Sequence, residues 1–153
     1  MTPPPCSMRA IARDRCRIAL GAAALLLSIG TACAATLDID VSGFASAEGH
    51  AVAKLFIPGD NVLGPGRWQA TAPIADGHAR LTFANVEPGS YAVVVFHDRN
   101  DSGAIDHNAL RMPVEALGFS NGFALGMLSG LPSFEKLKFE FTSATPPLAV
   151  RVN

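Results

Sequence analysis

Apolar and polar residues alternate with a period of two along several short stretches of this chain, and that spacing predicts strands. Leu37, Ile39 and Val41 alternate with Asp38, Asp40 and Ser42, which describes a strand with one buried face. Residues 51–57 predict a second strand, with Val52 and Lys54 on a different face from Ala53, Leu55 and Ile57. Between these two, the Glu48-Gly49 pair is expected to close a hairpin. Pro58-Gly59-Asp60-Asn61 stops the second strand, and residues 67–74 suit a short edge strand because Pro73 cannot donate to a ladder. Asp76-Gly77 is a turn signal before Ala79, Leu81 and Phe83, which again alternate with polar neighbours. After the tight turn at Val86-Glu87-Pro88-Gly89, residues 91–97 form a nearly continuous apolar run, the mark of a central strand covered on both faces.

Towards the end, Leu137, Phe139 and Phe141 alternate with Lys138, Glu140 and Thr142, and Leu148 and Val150 mark a last short strand. No apolar stripe of helical period is sustained, although a single turn around Phe134-Glu135-Lys136 fits. About seven short strands with frequent turns predict an all-β fold, an antiparallel β-sandwich of immunoglobulin-like or transthyretin-like type. One stretch does not fit the strand rhythm. Residues 98–132 have no regular pattern, yet Pro113, Phe119, Phe123, Leu125, Met127 and Leu128 make them too apolar for a disordered linker. This long loop is expected to be ordered and to fold back over the sandwich.

Composition adds a destination. Arg9, Arg13, Arg15 and Arg17 precede an apolar or small run at residues 18–29, and Ala32-Cys33-Ala34 supplies small residues for cleavage. That run is shorter than the ~20 residues a membrane span needs. Residues 1–34 therefore read as a signal peptide and 35–153 as a single exported domain, periplasmic or extracellular, with no transmembrane span in the mature part. Acylation of Cys33 in a lipoprotein signal is the alternative. Removing four arginines and one aspartate leaves eight basic and twelve acidic residues, a net charge near −4. Such a surface offers no basic patch for nucleic acid. All three cysteines lie before the cleavage point, so the mature domain is expected to rely on its core rather than on disulfides.

Candidate chemistry concentrates where the central strand ends. A calcium loop of the EF-hand type takes ligands from its first, third, fifth, seventh, ninth and twelfth positions, with glycine at the sixth. Counting from Asp98 gives Asp98, Asn100, Ser102, the Ala104 carbonyl and Asp106, with Gly103 at the sixth. The twelfth position is Ala109 instead of a bidentate glutamate, so any calcium is expected to bind weakly, near ~10⁻⁴–10⁻³ M, unless Asp101 or Glu115 completes the shell. Asp, Asn, Ser and Gly also make ordinary turns. His97 is expected to end the strand and hydrogen-bond within the loop.

Gly118-Phe119-Ser120-Asn121-Gly122 matches the G-x-S-x-G pattern of hydrolases. That elbow needs a strand-to-helix turn in an α/β sheet and a later histidine, and all four histidines precede Ser120. Trp68 and Tyr91 are candidates for stacking on a glycan, and ordinary packing explains them as readily.

The runs Pro88-Gly89-Ser90-Tyr91-Ala92-Val93, Phe96-His97-Asp98-Arg99-Asn100-Asp101-Ser102-Gly103 and Pro113-Val114-Glu115-Ala116-Leu117-Gly118-Phe119-Ser120-Asn121 resemble a bacterial secreted family, domain-of-unknown-function family 2141. Gly130-Leu131-Pro132-Ser133-Phe134-Glu135 extends the resemblance across essentially the whole mature chain. Leu110-Arg111 departs from the family, which usually has an aromatic residue and glycine there. The resemblance implies a small exported β-sandwich without an assigned activity, and places Ser120 in the long loop as a turn or capping residue. The expected function is a non-enzymatic module whose loop is ordered by weakly held calcium and binds an envelope protein or glycan. The alternatives are an envelope enzyme using His97, Asp98 and Glu115, or a carbohydrate-binding module using Trp68 and Tyr91.

Overall fold

A computed structural model of the chain describes residues 34–109, 113–126 and 129–153. The signal segment lies outside these residues apart from Ala34, as do Leu110-Arg111, Met127 and Leu128. Among the described residues, eight strands form two sheets. β1 (Ala35–Ser42), β4 (His78–Val86) and β8 (Leu148–Arg151) build the smaller, in the order β4-β1-β8. The larger has the order β3-β2-β5-β6, with β2 (His50–Phe56), β3 (Trp68–Pro73), β5 (Gly89–Asp98) and β6 (Leu117–Phe119). β7 (Phe139–Phe141) pairs with the first residues of β5, on the same edge that β6 uses further along. The fold is all-β, as the strand periodicity predicts.

Two details correct the sequence reading. β1 and β2 do not form a hairpin, because β1 pairs with β4 and β8 while β2 pairs with β3 and β5. Period-two alternation says that one face is buried and is silent about which strand lies alongside. The ladder between β1 and β8 is also parallel, so the sandwich is not wholly antiparallel. A third difference is local. Leu137 closes a one-turn helix, α1 (Phe134–Leu137), instead of opening the strand that follows.

The apolar residues pack in two layers. Leu37, Ile39, Val41, Leu55, Leu81, Val93, Val95 and Phe141 fill the space between the sheets. On the outer face of the larger sheet, Val52, Phe56, Val94 and Phe96 pack against Leu117, Phe119, Phe134 and Leu137. β5 is therefore buried on both faces, which is why its middle, residues 92–96, is continuously apolar.

The long excursion folds back over the sheet and is more regular than its sequence suggests. It contributes β6 to the larger sheet and a 3₁₀ turn, Ser120–Gly122. β6 also meets the chain's last residues: Leu117 and Asn153 exchange backbone hydrogen bonds of 3.3 and 3.1 Å. This contact ties the two sheets together along one side. Among the described residues, no helix is long and apolar enough to cross a membrane.

Candidate functional site

β5 delivers Asp98 to the base of the excursion as a buried carboxylate, only 2% exposed. Its Oδ1 accepts the Ser102 N–H at 2.9 Å and its Oδ2 the Gly103 N–H at 2.7 Å. These bonds curl the chain back on itself. The bend is made with Asp101 and Gly103 in the left-handed region, φ 56° and 72°. Asn100 Oδ1 accepts the same Ser102 N–H at 3.3 Å, and Asn100 Nδ2 donates to Asp106 Oδ2 at 2.7 Å. Ser102 Oγ donates to the Ala104 carbonyl at 2.9 Å. All five residues predicted as ligands are thus joined in one hydrogen-bonded cluster. Ala109, at the twelfth position, is exposed and brings no side-chain oxygen.

Glu115 joins from the segment just before β6, accepting the Asp106 N–H at 3.3 Å. Burial lifts its carboxyl above the usual glutamate value, and the Asp98 and Asp106 charges push the same way, against the Asp106 N–H and His97. Asp101 turns away instead and meets His50 Nδ1 at 2.5 Å. Among the described residues, no three His, Cys, Asp or Glu side chains close up into a group that would hold a metal. The cluster is a polar cradle with two carboxylates, one amide, one hydroxyl and one carbonyl, a donor set of hard oxygens.

Lys54 is the member that sequence reasoning missed. Its place on the same face as Val52 is read correctly, but the sequence does not show that this face is covered. It is 6% exposed, with Nζ 5.1 Å above the Phe96 ring. Burial pulls its ammonium below the usual lysine value, while Glu115 and Asp98 oppose that shift. The only signal in the sequence is a lone lysine inside an otherwise apolar strand.

His97 behaves differently from expectation. It is 3% exposed, and its ring packs edge-on against Phe44 at 5.3 Å. Its Nε2 meets the Glu48 carbonyl at 2.8 Å, outside the loop that follows it. The expected bond within the loop is therefore replaced by one to the β1–β2 connection, because β2 brings that connection beside the end of β5. An open cleft of about 300 Å³ runs past Glu48, Arg99, Asn100, Asp106, Val114 and Glu115, without His97 on its wall.

Ser120 is an internal tether. It is fully buried, and its Oγ accepts the Val93 N–H at 2.9 Å and donates to the Leu137 carbonyl at 2.6 Å. It thereby links β5, the 3₁₀ turn and α1, a larger role than that of a turn residue. Replacing Ser120 by Ala leaves the Val93 N–H and the Leu137 carbonyl without this partner. We expect a loss of about 2 kcal/mol, read from the denaturant midpoint; a change within ~0.5 kcal/mol would contradict this role.

Trp68 and Tyr91 come together at the opposite end of the sheet. Their ring centroids are 6.5 Å apart and their planes cross at 63°, so they do not form a flat platform.

These features define an all-β sandwich whose larger sheet is covered by an excursion anchored at a buried aspartate. Residues 39–147 match the family described as "Uncharacterized protein conserved in bacteria (DUF2141)", and the chain belongs to that family. No curated protein and no solved structure matches the chain.

Proposed function

We propose that this chain is an exported, non-enzymatic binding module in which the Asp98–Asp106 loop takes calcium weakly and holds the excursion in place for an envelope partner. The observation that carries this reading is the joining of Asp98, Asn100, Ser102, Ala104 and Asp106 by hydrogen bonds at the root of the excursion. An ion would replace the bond between Asn100 Nδ2 and Asp106, with Asn100 presenting its Oδ1 instead. It would also offset the mutual repulsion of Asp98, Asp106 and Glu115. Ala109 at the twelfth position keeps the affinity low. Along the excursion, Val114, Leu125 and Leu131 expose large apolar side chains, and these would meet the partner. The basic and apolar N-terminal segment supports export.

Thermal melting with calcium and with a chelator tests the ion. Calcium at about ten times its dissociation constant stabilises by about 1.4 kcal/mol, a rise of a few degrees in melting temperature. The Asp106→Asn variant keeps the fold and loses that rise. No shift at roughly ten millimolar calcium, or an equal shift in Asp106→Asn, would sink the ion.

A further inference from the structure

The two sheets are tied together along the β6–β8 side, where Gly118 lies so close to the last strand that an added Cβ would sit 2.8 Å from the Arg151 carbonyl. On the other side, among the described residues, the backbone leading from β3 and that opening β4 are bridged only beside the Asp76-Gly77 turn, where Ala75 and His78 pair. Trp68 begins β3 and Val86 ends β4, so both lie at the far end from that turn. There the register between β1 and β4 slips between Ala35 and Leu37, and Asn85 adopts φ 58°. The edges part, and a cavity of about 350 Å³ opens between the sheets. Its size lies in the usual range of small-molecule sites.

The walls carry three aromatic rings, those of Trp68, Phe83 and Tyr91, together with Leu55 and Val86. Trp68 stands at the mouth, 51% exposed on an edge strand. Tyr91 is held in place by donating its hydroxyl to the Glu87 carbonyl at 2.9 Å and by an edge contact with Phe141. Among the residues lining the cavity, Glu87 alone is charged, and its side chain is exposed. Burial first, and then the Glu87 charge, push the Tyr91 phenol above its usual value.

We propose that this open end of the sandwich binds a small organic cation with a methylated ammonium head. The lining combines three aromatic residues with a single carboxylate, the two features that together suit a compact cation. A methylated ammonium is apolar enough to enter between Leu55 and Val86 and charged enough to prefer the side of Glu87. A saccharide fits the same walls poorly. It needs a flat ring to stack on and several convergent hydrogen-bonding side chains, and the lining supplies only Asn85 and Glu87.

Trp68 is the chain's single tryptophan, so the chain's tryptophan fluorescence comes from the mouth of this cavity. The full chain is titrated with choline, with neohexanol, the neutral carbon isostere of choline, and with N-acetylglucosamine. We expect a saturable change with choline in the roughly millimolar range and a response to neohexanol weaker by about tenfold. The exposed Glu87→Gln substitution is expected to weaken choline about fivefold and to leave the melting temperature unchanged. Equal responses to choline and neohexanol would reduce the cavity to an apolar one and overturn the proposal. So would saturation by N-acetylglucosamine with choline silent, no saturable change with choline, or an unaltered choline affinity in Glu87→Gln.

Discussion

Substituting Gly49 by alanine is expected to remove about 4 kcal/mol or more of stability, much of what a domain this size possesses. Gly49 adopts φ 73° where β2 begins, pressed against the end of β5. A Cβ there would lie 2.1 Å from the Asp98 carbonyl oxygen and 2.6 Å from the Arg99 Cα. Both obstacles are backbone, so no side-chain rotation relieves them. The strands would have to separate at the His50–Asp98 pairing, and the contact between His97 and the Glu48 carbonyl would go with them. Gly59 is the control, since it also has positive φ, 91°, but nothing lies within 4 Å of its missing Cβ. Gly59→Ala should therefore cost only the conformational penalty, about 1 kcal/mol. Denaturant unfolding of the two variants separates the effects. Equal losses would show that close approach at Gly49 is not the constraint.

Asp98→Ala is expected to cost about 3 kcal/mol, a fall of about 10 °C in melting temperature. The carboxylate is buried and accepts two loop N–H groups, those of Ser102 and Gly103. Bonds to an ionised acceptor are the stronger kind. Truncation loses both and removes one of the two carboxylates that act on the buried Lys54 ammonium. Asp98→Asn, which keeps one acceptor oxygen, should lose about half as much. The measurement is made in chelator, so that it reports the loop's own bonding and not a bound ion. Hydrogen exchange at the Ser102 and Gly103 amides locates the effect, because their protection depends on this side chain. A melting temperature unchanged in chelator would show that Asp98 matters only when an ion is present.

Much of this molecule is legible along the chain, and what is legible is local. Residues 91–97 announce a doubly covered strand because burial on two faces favours a nearly continuous apolar run, with only His97 at its end polar and hydrogen-bonded. The Asp76-Gly77 turn is equally readable, since its two residues take φ values of 50° and 76° that most residues avoid. The five oxygen donors between residues 98 and 106 are visible for the same reason, because a short loop brings near neighbours together. Lys54 marks the limit. Its place on the Val52 face follows from alternation, but its burial depends on residues outside β2, with Gly66 close against its Cβ and the Phe96 ring beneath its Nζ. The Trp68–Tyr91 cavity is hidden for a similar reason. Its walls come from β2, β3, β4 and β5, and nothing local records that the edges of two sheets part there.

By itself, then, the sequence determines every strand but β6, the Asp76-Gly77 turn, the doubly buried strand and the polar loop at its end, since each depends on neighbours a few residues away. Tertiary structure alone decides that β1 and β2 belong to different sheets, that β1 and β8 run parallel, and that Ser120 tethers three elements. It also decides that Lys54 is covered and that one end of the sandwich stays open. The physical reason is that alternation records how much of a side chain leaves water, whereas the identity of what covers it is a property of residues far away in the chain.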